Sequence, residues 1–274
     1  MTAELQDFAP ATAERFAETV AGIIDQGAVA VMLSVGHRAG LFDTMAGRAP
    51  ATSAEIAEAA ALSERYVREW LAVMVTGRIV DYDPATGRYH LPGAHAACLT
   101  RGAPLGNLAV YAQHVALMGQ LQERTLACLE TGGGTEYGDY PCFHQIMAED
   151  SGQTVAEALF DHVLPLASGI EARLKEGIEV LDAGCGRGLA LIEMAKRYPA
   201  SRFTGYDLCD DAIRWAKAAA ERTGIENATF EARDLTGYAE PGRFGLITSF
   251  DAIHDQKDPE GLTRPFTVAE IYQD

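Results

Sequence analysis

The chain has 274 residues, 48% of them hydrophobic, enough for a buried core in two modest domains or one large one. Its formal net charge of −17 argues against tight, non-specific binding to a phosphate backbone, which needs clustered Lys and Arg, and leaves room only for a local basic patch. The five cysteines, Cys98, Cys128, Cys142, Cys185 and Cys209, include no CxxC pair. The reading is therefore reduced thiols in a cytoplasmic protein, with no disulfide framework and no metal. The N-terminus, MTAELQDFAPATAERFAE, is acidic and lacks the apolar stretch of a signal peptide. No apolar run is expected to reach the roughly 20 residues that a membrane span needs.

Residues 11–35 read as helix, with Phe16, Val20, Ile23, Ile24 and Val31 on one face at helical spacing. Thr52 and Glu55 make a capping box for a short helix through Ala59. Ser63 is placed to cap a second helix, in which Val67, Leu71 and Met74 share a face adjoined by Tyr66, Trp70 and Val73. RIVDY and RYHLP then bracket the turn DPATG as two short strands. Helix, turn, helix, hairpin is the winged-helix arrangement. A helix that reads DNA presents base-reaching side chains amid positive charge. SERYVREW instead mixes Glu64 and Glu69 with Arg65 and Arg68, and acids outnumber bases across residues 1–100. The module reads as structural or dimerising rather than DNA-binding.

Residues 104–130 again look helical, TGGGTEYGDYP is an aromatic-bearing loop, and CFHQIMAEDSGQTVAEALFDHVLPL returns to helix. This stretch could bring Tyr137, Tyr140, Phe143 and His144 over a ligand, although each alone reads as ordinary packing. From residue 177 the texture alternates: strand IEVLDAG, helix LALIEMAKRY, strand RFTGYDL, helix CDDAIRWAKAAAERTG, then strands ATFEARDL and FGLITSFDAI. Such alternation predicts a parallel sheet covered by helices. The expected organisation is a helical, dimerising winged-helix domain over 1–100 and a helical connector over 101–170 that contributes to the substrate pocket. An α/β, Rossmann-like cofactor domain follows over 171–274.

Ligands of open parallel sheets sit beyond the carboxyl ends of the strands. Four ends can be named here: Asp182 with Gly184, Gly186 and Gly188; Asp207 with Leu208; Asp234 with Leu235; and Ser249 through His254. A dinucleotide site would carry G-x-G-x-x-G and set a pyrophosphate on the helix N-terminus. Here the third glycine comes one residue early, as Gly188, and the acid Asp182 stands at the mouth of the loop. A carboxylate beside a pyrophosphate is electrostatically wrong, but it suits a ligand with an ammonium and a sulfonium, as in S-adenosylmethionine. Asp207, 25 residues after Asp182, is in the right region to accept hydrogen bonds from ribose hydroxyls. Asp234 can receive an adenine amino group.

VLDAGCGRG, GYDL and ARDL resemble the successive cofactor motifs of class I S-adenosylmethionine-dependent methyltransferases, over residues 177 to about 258. TSAEIAEAAALSERYVREWL resembles the winged-helix domain that precedes the catalytic domain in many small-molecule methyltransferases. The resemblance implies a homodimer whose N-terminal domain roofs a small-molecule pocket. It also implies Asp182 and the glycines near the methionine part, Asp207 on the ribose and Asp234 near adenine. Methyl transfer to a hydroxyl needs an aligned nucleophile and often a base, and SFDAIHDQKDP offers Asp251, His254 and Asp255. The His-Asp pair resembles the HDW motif of O-methyltransferases, where the His is the general base, with Gln256 standing in place of Trp. An imidazole is suited to deprotonating a hydroxyl or phenol.

The family's sheet has seven strands, and only about 20 residues follow His254 here. At most one further strand fits, around Phe266 to Tyr272, so the expectation is a C-terminally truncated domain. The competing reading is a winged-helix regulator with a non-catalytic S-adenosylmethionine-binding domain. A nucleic-acid methyltransferase would need a basic groove and the Asn/Asp-Pro-Pro-aromatic motif, and the sequence has neither.

Overall fold

A computed structural model of the chain describes residues 10–254 except 105, 136, 239 and 241, together with residues 259–260. The chain divides into two compact units between Pro141 and Cys142, so the expected connector contributes to both.

The first unit begins with the long helix α1 (Pro10–Arg38) and continues through α2 (Leu41–Met45), α3 (Ser53–Ala60) and α4 (Glu64–Thr76). The hairpin β1 (Asp81–Asp83) and β2 (Arg88–His90) follows, then α5 (Gly93–Leu99), α6 (Ala112–Gln120) and α7 (Gln122–Thr131). The capping box forms: the Glu55 amide donates to Thr52 Oγ1 at 3.3 Å, and the Thr52 amide donates to Glu55 Oε2 at 2.7 Å. Ser63 does occupy the N-cap of α4, but its hydroxyl makes no capping hydrogen bond. Instead Glu64, at the first helical position, accepts a 2.7 Å bond from Ser53 and so ties α4 to the start of α3.

Val67, Leu71 and Met74 are buried as their spacing predicts, with Trp70 between them, whereas Tyr66 faces solvent. Trp70 packs edge-on against Phe42, with ring centroids 5.3 Å apart, and donates its indole N–H to the Met32 carbonyl at 2.9 Å. Gly36 permits this, because a Cβ there would lie 2.5 Å from the Trp70 ring. α1 thus packs against α2, α4 and α6 through its C-terminal part, while Phe16, Val20, Ile23, Ile24 and Val31 point outward. One further expectation needs correction. By length and composition alone α1 could cross a membrane over Thr12–Arg38. Between Glu18 and Arg38 the only Asp, Glu, Lys or Arg is Asp25, so the helix is far more apolar than its acidic start suggests.

The second unit opens with α8 (Phe143–Ser151) and two π-helical turns, Gly152–Ala156 and Leu159–Val163. A short 3-10 turn at Leu164–Leu166 and α9 (Ile170–Glu176) lead into the sheet. The sheet alternates with helices as expected: β3 (Glu179–Ala183), α10 (Leu189–Arg197), β4 (Arg202–Asp207), α11 (Asp210–Thr223), β5 (Ala228–Ala232) and β6 (Leu246–Thr248). All pairings are parallel, in the order β5-β4-β3-β6. This is a Rossmann-like α/β sheet preceded by a mainly helical winged-helix region.

α10 and α11 cover one face around Leu191, Met194, Phe203, Ile213 and Phe230. The other face buries Leu181, Ala183, Tyr206, Leu235 and Tyr238. The register places Asp182 of β3 between Gly205 of β4 and Thr248 of β6, so the candidate site is centred on the middle strands. The strand expected around Phe266–Tyr272 lies outside the described residues, as does Asp255.

Candidate active site

The Gly-rich turn after β3 needs its glycines for different reasons. Gly184, Gly186 and Gly188 all have positive φ, at 79°, 53° and 69°, a region L-residues with a Cβ enter at a cost. At Gly184 a Cβ would lie 2.3 Å from the Ala252 methyl, and at Gly188 it would lie 2.4 Å from the Phe230 ring. Those two glycines let the turn close onto the segment after β6 and onto β5. Around Gly186 nothing stands within 4 Å of such a Cβ. Gly186 is where the backbone faces open space that a ligand can enter.

The amides of this turn are donated within the protein. Gly184 and Cys185 both donate to the Tyr206 carbonyl, at 2.8 and 3.0 Å, and Gly188 donates to the Cys185 carbonyl at 2.8 Å. Gly186 donates to Asp207 Oδ2 at 2.8 Å. Asp207 Oδ1 accepts from the Cys209 amide at 2.9 Å. Each Asp207 oxygen therefore holds one backbone bond and keeps a second acceptor site, because a carboxylate has about four. A pyrophosphate cradle needs free N–H groups aimed at the ligand. Here four of them are engaged and a carboxylate stands among them.

Asp182 is buried and accepts a 2.9 Å hydrogen bond from the Thr248 hydroxyl. Burial pushes its carboxyl up to about 7, reinforced by the nearby Asp207 and only partly opposed by the Thr248 bond. A buried carboxylate favours a cation as neighbour. Thr248 was not read from the sequence. Its signal is register alone, since it is the residue of β6 directly opposite Asp182.

The fourth strand end is tied in by Ser249, whose hydroxyl donates to the Ala183 carbonyl at 2.7 Å. At the third, Asp234 is exposed and accepts from the Thr236 amide at 2.8 Å, an Asx turn. Leu235 is buried in the cluster beneath. The preceding Arg233 anchors this loop, stacking over Tyr206 and Tyr238 at 4.8 and 4.7 Å and pairing with Glu240 at 3.1 Å. Leu208, beside Asp207, is exposed despite being apolar.

Asp251 and His254 both reach solvent beyond β6. Asp251 has φ 49°, a left-handed conformation that Asp tolerates better than most residues. Arg187 went unsuspected in the sequence, whereas His144 is read there as able to stand over a ligand. Arg187 of the glycine turn lies over the Trp215 ring of α11 at 5.1 Å. His144, at the start of α8, stands 4.0 Å from Asp211 at the start of α11.

Comparison with known proteins fits this geometry. Residues 27–101 match the model of the Rv2258c-like winged HTH domain, and residues 174–269 match that of the Methyltransferase domain. The chain joins a winged-helix domain to a methyltransferase domain. A curated relative, the 2-heptyl-1-hydroxyquinolin-4(1H)-one methyltransferase of Mycobacteroides abscessus, is 38% identical over 35% of this chain and 38% of its own length. The chain spans less than half the length of such curated relatives.

Among solved structures, mitomycin 7-O-methyltransferase superposes with a TM-score of 0.61 at 17% identity, covering 92% of this chain and 76% of that one. Human N-acetylserotonin methyltransferase, solved with S-adenosylmethionine, gives 0.56 at 17% identity over 95% and 76%. At such identities these matches establish the fold. The methyltransferase domain holds all four strand ends named above.

Proposed function

We propose that the chain binds S-adenosylmethionine and transfers its methyl group to a small molecule, with a hydroxyl as the favoured acceptor. The observation that carries this reading is the pairing of a desolvated Asp182 carboxyl with a turn whose amides are already donated to protein acceptors. Such a cradle repels a pyrophosphate and suits a cationic, phosphate-free nucleoside. The open space at Gly186 admits the ligand against the backbone. When bound, S-adenosylmethionine supplies a methyl group activated on sulfur.

The roles of the chain's own residues follow. Asp182, with Gly184, Gly186 and Gly188, faces the cationic methionine part, and Asp207 accepts from the ribose hydroxyls. Leu208, Asp234 and Leu235 border the base, and Ser249 fixes the far wall by holding β6 to β3. His254 takes the proton from the acceptor hydroxyl, with Asp251 in the same segment. The matched hydroxyquinolinone methyltransferase and the O-methyltransferase folds support the small-molecule class.

The outward apolar residues of α1 support association of two copies through the first unit. Titration calorimetry with S-adenosylmethionine and, separately, with NAD tests the reading. Binding of the methyl donor alone is expected, and binding of NAD alone overturns it. A screen of hydroxylated aromatic acceptors with labelled donor then tests transfer.

A further inference from the structure

We propose that the second unit carries a site for a soft divalent cation of the zinc class, built by His144, Cys209 and Asp211. Each offers one ligand atom, an imidazole nitrogen, a thiol sulfur and a carboxylate oxygen, and all three lie within 4.8 Å of one another. His144 comes from the first turn of α8, while Cys209 stands at the N-cap position of α11 and Asp211 in its first turn. The cluster therefore joins two helices that the sequence separates widely, which is why cysteine spacing gave no hint of it.

The donor set selects the metal. Calcium and magnesium take oxygen ligands, whereas zinc accepts nitrogen, sulfur and oxygen together. With ordinary zinc bond lengths, a tetrahedral centre holds its ligand atoms about 3.4–3.6 Å apart. His144 Nε2 and Asp211 Oδ1 stand 4.0 Å apart and no pair of the three ligand atoms exceeds 4.8 Å, so a closure of at most about 1.4 Å brings them to that spacing. Asp211 can supply it, because its side chain is 62% exposed while that of His144 is only 12% exposed. The His144 ring is also held edge-on by Phe143, 5.4 Å away.

The electrostatics have two sides. The start of α11 carries the positive end of a helix dipole, and the Arg187 guanidinium acts on Asp211. Against them stand Asp210 and Asp211 in the first turn of the helix, and Asp207, bonded to the Cys209 amide; burial and these same acids push the Cys209 thiol up to about 12, so binding through sulfur releases the thiol proton to solvent. Three protein ligands leave one tetrahedral position for water or another small donor. A cation there would fasten α8 to α11, two residues beyond Asp207, whether or not the neighbouring cradle takes a methyl donor.

The test uses the full chain, stripped with a chelator and titrated with zinc against a chromophoric chelator, with cobalt(II) as the spectroscopic probe. One equivalent is expected, with a sulfur-to-cobalt charge-transfer absorption. Cys209→Ser should abolish that absorption. His144→Ala should weaken zinc binding by at least about tenfold, since even an outer-shell partner of a metal costs that much. Cys142→Ser, which alters an exposed free thiol in the same unit, should change neither. Asp211→Asn, on an exposed side chain, keeps the test decisive if Cys209→Ser misfolds, and it too should weaken binding. The proposal is overturned if zinc does not bind stoichiometrically, or if Cys209→Ser folds and retains the absorption. It is equally overturned if both His144→Ala and Asp211→Asn leave the affinity unchanged.

Discussion

The ends of β3 and β4 and the end of β6 form one candidate site but are built differently. At β3 and β4, Asp182 and Asp207 are each held by hydrogen bonds from named partners, and the turn between strand and helix is fixed by glycines pressed against Phe230 and Ala252. At β6 the candidate base His254 and its neighbour Asp251 face solvent, and Asp251 sits in a left-handed conformation. A ligand's resting place demands a fixed geometry. A group that takes a proton from an acceptor needs access to it.

The largest effect that can break this contrast is on turnover. His254→Ala should lower the methyl-transfer rate by about 10²–10⁴-fold, the usual worth of a general base, and leave donor affinity within a few-fold. Single-turnover rates beside calorimetric affinities check this. A loss of affinity equal to the loss of rate would assign His254 to the cradle and erase the distinction between the two ends.

The second effect is on folding. Gly188→Val puts a branched side chain against the Phe230 ring at a positive-φ position. Overpacking and backbone strain together should cost about 2–4 kcal/mol, read as a lowered midpoint in urea unfolding. A substitution to Ala at Gly186, where space is open, should cost only the backbone penalty of about 1 kcal/mol, while still hindering ligand approach. Equal destabilisation at both positions would mean that Gly186 is a packing glycine too.

What the sequence made legible divides along the same line. The strand-turn-helix alternation, the spacing of Gly184, Gly186 and Gly188, and the acids at strand ends are local patterns with local causes, and they map onto β3 to α11 directly. The capping box at Thr52 and the buried stripe of α4 were legible for the same reason. Thr248 beside Asp182, Gly36 beneath Trp70 and His144 beside Asp211 were not. Each depends on register or helix packing between segments far apart in the chain. α1 was legible as a helix with Phe16, Val20, Ile23, Ile24 and Val31 on one face, but not the outward direction of that face, since periodicity fixes which residues share a face and not what covers it.

A third, smaller effect concerns Asp207. Asp207→Asn keeps the size but removes the charge and turns one of the two oxygens that accept from the Gly186 and Cys209 amides into an NH2 donor. A charge-assisted bond to a ligand hydroxyl is worth about 1.5–3 kcal/mol, so donor affinity should fall about 10–100-fold. Calorimetry measures the loss. The same change at the exposed Asp234, which caps its own turn, should cost less, and a reversed order would move the ribose partner to the third strand end.

The smallest effect tests why Asp182 is buried at all. Its carboxyl is raised from the ordinary range to about 7, mainly by burial. For an acid raised on folding, the native state binds more protons than the unfolded chain between the two values. The stability it contributes is therefore fully present below the ordinary carboxylate range and is lost as the pH climbs to about 7. The loss is at most about 1.4 kcal/mol per pH unit. A cationic ligand reverses the preference by favouring the ionised form, so donor affinity should rise with pH and level off above about 7. Below that point, binding should release a proton. Calorimetry at pH 6 in buffers of different ionisation enthalpy would detect it, and Asp182→Asn should abolish that release. If wild type and Asp182→Asn exchange the same number of protons, Asp182 does not face the cation, and the contrast between a charged cradle and an open catalytic edge loses its electrostatic half.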